Sequence, residues 1–155
     1  MISFQNKDTA YRLTGRRKVA GWLGEVARRE GFKPGEIAVV FTSDAYVLEV
    51  NRSYLGHDYP TDIITFDYRD PLLPQVISGD LLISVDTVAA NAQRFGVAPG
   101  EEMLRVIVHG ILHLCGHGDK TAAERAAIRS LEDSYLALFA EFAGTGLVGT
   151  NVAGQ

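Results

Sequence analysis

The run Val108-His109-Gly110-Ile111-Leu112-His113-Leu114-Cys115-Gly116-His117-Gly118-Asp119 constrains this chain more than any other stretch. It carries three of the four histidines in an otherwise apolar setting. Upstream, Pro99 and the acids Glu101 and Glu102 supply the features of a helix start, with negative charge in the first turn where the dipole favours it. Met103, Leu104, Ile107, Val108, Ile111, Leu112 and Leu114 then wrap much of the circumference, so the helix must be buried. His109 and His113 project from one face of it, one turn apart, and two imidazoles so placed can share one metal ion.

Geometry limits where a third ligand can arise. His117 continues the spacing, but eight residues of straight helix separate backbones by about 12 Å, too far for three side chains to meet at one ion. The chain must leave the helix and fold back, and Gly116 and Gly118 supply the breaks. Asp119, just beyond them, is the better third ligand, with His117 in reserve. Cys115 lies roughly 200° around the helix from His113 and faces away from the metal. The H-x3-H-x5-D spacing resembles the zinc helix of metzincin-type peptidases, yet the glutamate that follows the first histidine there is replaced by Gly110.

The 155 residues suit a single domain, and there is no apolar run long enough to cross a membrane and no signal-like N-terminus. These features, with a single cysteine, place the protein in the reducing cytoplasm. The net charge of −4 argues against broad coating of nucleic acid, though it allows a local basic patch. Arg16, Arg17 and Lys18, and Arg28 with Arg29, read as solvated helix faces rather than RNA contacts.

Read in order, Ile2 to Asn6 alternates as a short strand, and Thr14 to Glu30 is a helix stopped by Gly31. Glu36 to Thr42 is a strand, followed by a helix through Tyr54 capped by Ser43 or Asp44. Leu55 to Thr61 is a loop, Ile63 to Phe66 a strand, and Asp70 to Ser78 an irregular excursion. Gly79 to Val85 reads as a central strand, and Asp86 caps a helix ending at Gly96. After the metal helix, Thr121 and Glu124 form a capping box for a last helix with a stripe of Ile128, Leu131, Tyr135, Leu138, Phe139 and Phe142. The order βαβαββααα gives an α+β domain over residues 1–143: a small mixed β-sheet covered by helices, with a buried metal-binding helix and a sheet order left open. Residues 144–155, with four glycines and no charge, read as a flexible tail.

Two motifs carry a resemblance. Asn51-Arg-Ser-Tyr54-Leu55-Gly-His57-Asp58-Tyr-Pro60-Thr61-Asp62-Ile63-Ile64-Thr65-Phe66, followed by Gly79-Asp80-Leu81, precedes His109-Gly110-Ile111-Leu112-His113-Leu114-Cys115-Gly116. Together, over roughly Ile37 to Asp133, they resemble the YbeY family of bacterial metal-dependent endoribonucleases and ribosomal RNA maturation factors. The resemblance implies one zinc ion on His109 and His113, cleavage of single-stranded RNA, and work on small-subunit ribosomal RNA and ribosome quality control. It implies the small ribosomal subunit as partner, and neither membrane nor DNA.

The chain departs from the family pattern twice. Asp119 stands where the family commonly has a third histidine, giving a two-histidine, one-carboxylate set that suits zinc and also iron(II). Leu55 stands where the family commonly has an arginine that contacts the RNA phosphate. Arg105, one turn before His109, is the leading replacement as a catalytic cation, with Arg52 and His57 behind it. The general base is either the zinc-bound hydroxide itself or an acid of the first motif, Asp62 or Asp58, and the attacking group is either water or the ribose 2′-OH. Two other readings stand beside this one. A structural zinc closed by His117 would make the protein a non-catalytic ribosome-assembly factor, and a zinc-dependent hydrolase of another substrate, such as a peptidase, is weakened by Gly110.

Overall fold

The computed structural model describes residues 1–57 and 61–144. The elements run β1 (Ile2–Lys7), α1 (Arg16–Arg29), β2 (Lys33–Thr42), α2 (Asp44–Leu55), β3 (Ile63–Asp67), β4 (Val76–Ser84), α3 (Val85–Phe95), α4 (Pro99–Leu114) and α5 (Ala122–Gly144). This is the expected α+β order. The sheet order is β1-β2-β4-β3, with β1, β2 and β4 parallel and β3 antiparallel at the edge. Asp58 and residues 145–155, named above as a candidate base and as a tail, lie outside the described residues.

Local chemistry explains the boundaries, including those that differ from expectation. β2 begins earlier than Glu36 because Lys33 and Pro34 already pair with Val76 and Ile77, across an irregularity before Ile37. That pairing also pulls Val76 to Ser78 out of the expected excursion and into β4. Ser43 caps α2 by accepting from the Tyr46 N–H, as proposed. Asp86 does not cap α3. Ser84 does, through the Thr87 N–H, while the Asp86 carboxylate accepts from the Asp44 N–H and ties the starts of α2 and α3 together.

The sheet has two unequal faces. Ile37, Val39, Phe41, Ile77, Leu81 and Ile83 point into the main core, covered by α1, α4 and α5. Trp22 at its centre donates its indole N–H to the Tyr135 carbonyl (2.7 Å), anchoring α1 to α5. On the other face Val47 and Val50 of α2 pack on Ile64 and Leu82 in a smaller cluster.

Helix α4 lies close against β4. A Cβ at Gly110 would meet the side chains of Leu81 at 2.8 Å and Ile63 at 2.9 Å, and one at Gly79 would meet Leu114 at 2.9 Å. The position that holds a catalytic glutamate in metzincin helices therefore faces the sheet here and has no room for one. Gly110→Glu should cost more than about 3 kcal/mol of folding stability by overpacking and burying a charge, read from the urea midpoint. A variant as stable as the parent would mean that α4 can lift off the sheet.

Candidate metal centre

The helix ends as the motif requires. Gly116 takes φ 104°, and its N–H and that of His117 reach back to the carbonyls of His113 (2.9 Å) and Leu112 (3.0 Å), a Schellman closure. Gly118 does not use the left-handed region. A Cβ there would press on the Glu124 carboxylate at 2.9 Å, so it is glycine because α5 closes on the loop. The capping box is present: the Glu124 N–H donates to Thr121 Oγ1 (3.0 Å), and Glu124 Oε1 accepts from the N–H groups of Thr121 (3.2 Å) and Lys120 (2.9 Å). Arg125 adds bonds to the carbonyls of Asp119 (3.3 Å) and Lys120 (3.0 Å). The start of α5 thus fixes the loop that carries Asp119.

The outcome is a converging donor set. One ligand atom each from His109, His113 and Asp119 lies within 4.8 Å of the other two. The Nε2 atoms of His109 and His113 stand 3.5 and 3.2 Å from Asp119 Oδ2. Two imidazole nitrogens and a carboxylate oxygen at this spacing fit a divalent ion. His117 is turned away, its Nε2 2.7 Å from Glu30 Oε1, where Glu30 also accepts from the Tyr135 hydroxyl. Cys115 faces away too, and burial pushes its thiol up to about 12, leaving it protonated.

A residue that no motif indicated completes the histidine geometry. Glu132 of α5 is 4% exposed, and its Oε2 lies 2.5 Å from His109 Nδ1. A proton on Nδ1, donated to this carboxylate, leaves the Nε2 lone pair facing His113 and Asp119. Burial pulls the His109 pKa down, but the bond to Glu132 and the charges of Glu132, Asp119 and Asp62 carry it above its ordinary value. The signal for Glu132 was obtainable only as an acid on the inward face of α5, which helical spacing alone does not separate from a solvated one.

Beside the donor set lies a cavity of about 310 Å³ reached by both candidate catalytic residues, Asp62 and Arg105. Burial raises the Asp62 carboxyl above the usual carboxylate range, opposed by His109, by the Asp62 and Ile63 N–H groups and by the Thr61 hydroxyl. Arg105 reaches the cavity but is paired: Nη1 donates to Glu132 (3.1 Å) and Nη2 to Asp133 (2.7 Å). Arg125 and Arg129 also line this cavity. Leu55 and His57 line a separate hollow with Asn51 and Thr61, and Arg52 is not among the residues around the metal-side cavity.

The family model for endoribonuclease YbeY matches residues 1–140. A relative from Phocaeicola vulgatus, named endoribonuclease YbeY, is 49% identical over 138 residues, covering 89% of this chain and 98% of its own length. A relative of the same name from Parabacteroides distasonis is 46% identical over 140 residues, covering 90% and 96%. The solution structure of a Thermotoga maritima protein superposes with a TM-score of 0.65 at 25% identity, covering 97% of this chain and 94% of that one. Among the described residues no helix is long and apolar enough to cross a membrane.

Asp119→Ala should abolish tight binding of a divalent ion, whereas His117→Ala should leave it nearly unchanged, because only Asp119 meets the two imidazoles. Metal titration of the two purified variants checks this. Loss in His117→Ala alone would overturn the donor set.

Proposed function

The chain belongs to the YbeY family of endoribonucleases, and on that premise we propose that it hydrolyses single-stranded RNA using zinc held by His109, His113 and Asp119. The observation that carries the reading is the meeting of these three donors beside a cavity that also holds Asp62 and arginine side chains. We place the protein in the cytoplasm, acting on small-subunit ribosomal RNA, with the small ribosomal subunit as partner and no role on DNA. Residues 1–143 form the catalytic domain, a boundary supported by the family match to residue 140, and residues 144–155 take no part in the chemistry.

Three protein ligands rather than four leave room for substrate, and the engagement of His117 with Glu30 supports an open site over a closed structural one. When bound, such an ion polarises a phosphate oxygen and makes a water molecule more acidic. The protein's part is then positional. Glu132 fixes the His109 tautomer and ring, and the capping box with Arg125 holds Asp119. Asp62, whose raised carboxyl pKa brings it closer to neutrality, takes the proton from the attacking oxygen, whether water or the ribose 2′-OH.

Stabilising charge on the phosphate falls to the arginines of the cavity wall. Arg105 is the candidate next to His109, but Glu132 and Asp133 compensate its charge, so exposed Arg129 is better able to meet a phosphate. Arg129→Ala is expected to lower single-turnover cleavage of a labelled unstructured RNA roughly 10- to 1,000-fold with metal retained. Arg105→Ala should lower cleavage and weaken metal binding together, because it releases Glu132. If Arg105→Ala keeps its metal and loses cleavage while Arg129→Ala cuts normally, Arg105 is the phosphate contact. A protein that, loaded with zinc, leaves RNA intact but degrades casein would refute the nuclease assignment. Chelation should abolish RNA cleavage and zinc should restore it.

A further inference from the structure

The cavity extends well beyond the metal donors. Glu102, Arg105, Val106 and His109 all line it, a spacing that keeps them on one face of α4. Glu102 and His109 are seven residues apart, about 10 Å along the helix axis. That is close to the distance from a nucleotide's phosphate to the far edge of its base. Between these ends the floor is apolar, built from Ile63, Val106 and Ile128, and Phe95 stands 51% exposed at the rim.

Glu102 is the unexplained group. It is 6% exposed, it lines the cavity, and among the described residues its oxygens form no hydrogen bond or ion pair. Burial and the charges of Asp62 and Glu132 raise its pKa, the charges of Arg105 and Arg129 favour its ionised form, and no donor among the described residues bonds it. The cavity side is the direction from which N–H donors can arrive. An ionised carboxylate is acceptor-only, with two oxygens. Among the bases, only guanine presents two adjacent N–H donors on one edge, at N1 and the exocyclic N2. Adenine and cytosine each place an acceptor beside their donor, and uracil flanks its donor with two acceptors.

We propose that the end of this cavity distal to the metal donors is a nucleobase subsite selecting guanine, with Glu102 accepting the two base-edge N–H groups and Phe95 stacking on the base. The subsite rests on the reading of this protein as a ribonuclease, and it adds the base preference of that site. The apolar floor takes the base plane, and stacking on Phe95 tolerates any base, so discrimination belongs to Glu102. Asn91, also on the wall, offers a further polar contact to the base or sugar.

The test uses the full chain loaded with zinc. Guanosine, adenosine, cytidine and uridine monophosphates are titrated separately, and cleavage positions are mapped on an unstructured RNA of mixed sequence. Guanosine monophosphate should bind about tenfold or more tightly than the others. Cuts should cluster beside guanines. Glu102→Gln, which keeps the shape and replaces one acceptor by a donor, should erase the preference in both assays while zinc content and thermal midpoint stay near the parent's. Phe95→Ala should weaken all four nucleotides alike and keep their ranking. Equal binding of the four by the parent, or a guanine preference that survives Glu102→Gln, overturns the subsite. Cleavage of RNA without base preference sinks the subsite and leaves the nuclease reading standing. Guanine-selective nucleotide binding that depends on Glu102, in a protein that cuts no RNA, sinks the nuclease reading alone.

Discussion

The close seating of α4 on β4 sets the position of everything chemical in this protein. Gly110 and Gly79 remove side chains where the helix and strand meet, and Leu81, Ile63 and Leu114 occupy that space. With Met103, Ile107, Ile111 and Leu112 buried as well, α4 can turn only one narrow face outward, and that face bears His109 and His113. A helix packed this tightly cannot rotate without exposing its apolar surface, so the hydrophobic core sets which way the imidazoles face, and Glu132 then fixes the His109 ring.

Helix α5 supplies the second half of the constraint. Its N-terminal capping box holds the Asp119 loop, and one turn after another its inward face brings Ile128 to the core and Glu132 to His109. The same helix is anchored at Tyr135 by Trp22 and by Glu30, which itself holds His117. The candidate third ligand, the carboxylate against His109 and the diversion of His117 are therefore consequences of one helix docking in one register. Disturbing that register would affect all three together, which is why their effects should not add independently.

Much of this was legible in the sequence because it is local. The i, i+4 histidine pair, the glycine after it, the Thr121-to-Glu124 box and the apolar stripe of α5 each depend on neighbours within one or two turns, and each stands where its spacing indicates. Contacts between distant segments were not legible. Glu132 to His109, Arg105 to Glu132 and Asp133, and His117 to Glu30 join residues 23, 27, 28 and 87 positions apart. The early start of β2 was hidden for a related reason. Pro34 and Gly35 have turn character, and only the pairing of Lys33 and Pro34 with Val76 and Ile77 carries the strand across them. Asp86 misled because Ser84, two residues earlier, is equally able to cap and is placed by the end of β4.

The charge pattern of the cavity links the donor set to the substrate. Among the described residues, four carboxylates (Asp62, Glu102, Asp119 and Glu132) face three arginines (Arg105, Arg125 and Arg129) across it. Without a metal that balance is negative if all the acids are ionised. Burial raises the carboxyl pKa of both Asp62 and Glu102, and at Glu102 the charges of Asp62 and Glu132 add to it while Arg105 and Arg129 oppose it. A divalent ion on His109, His113 and Asp119 would reverse the sign and give a net positive cavity. Asp119 leaves the loaded cavity less positive than a third neutral imidazole would, since it cancels one of the ion's two charges. The arginines of α5 then matter more than they would beside three histidines. Affinity for RNA should in consequence be coupled to metal occupancy, with the loaded cavity attracting the phosphate more strongly than the metal-free one.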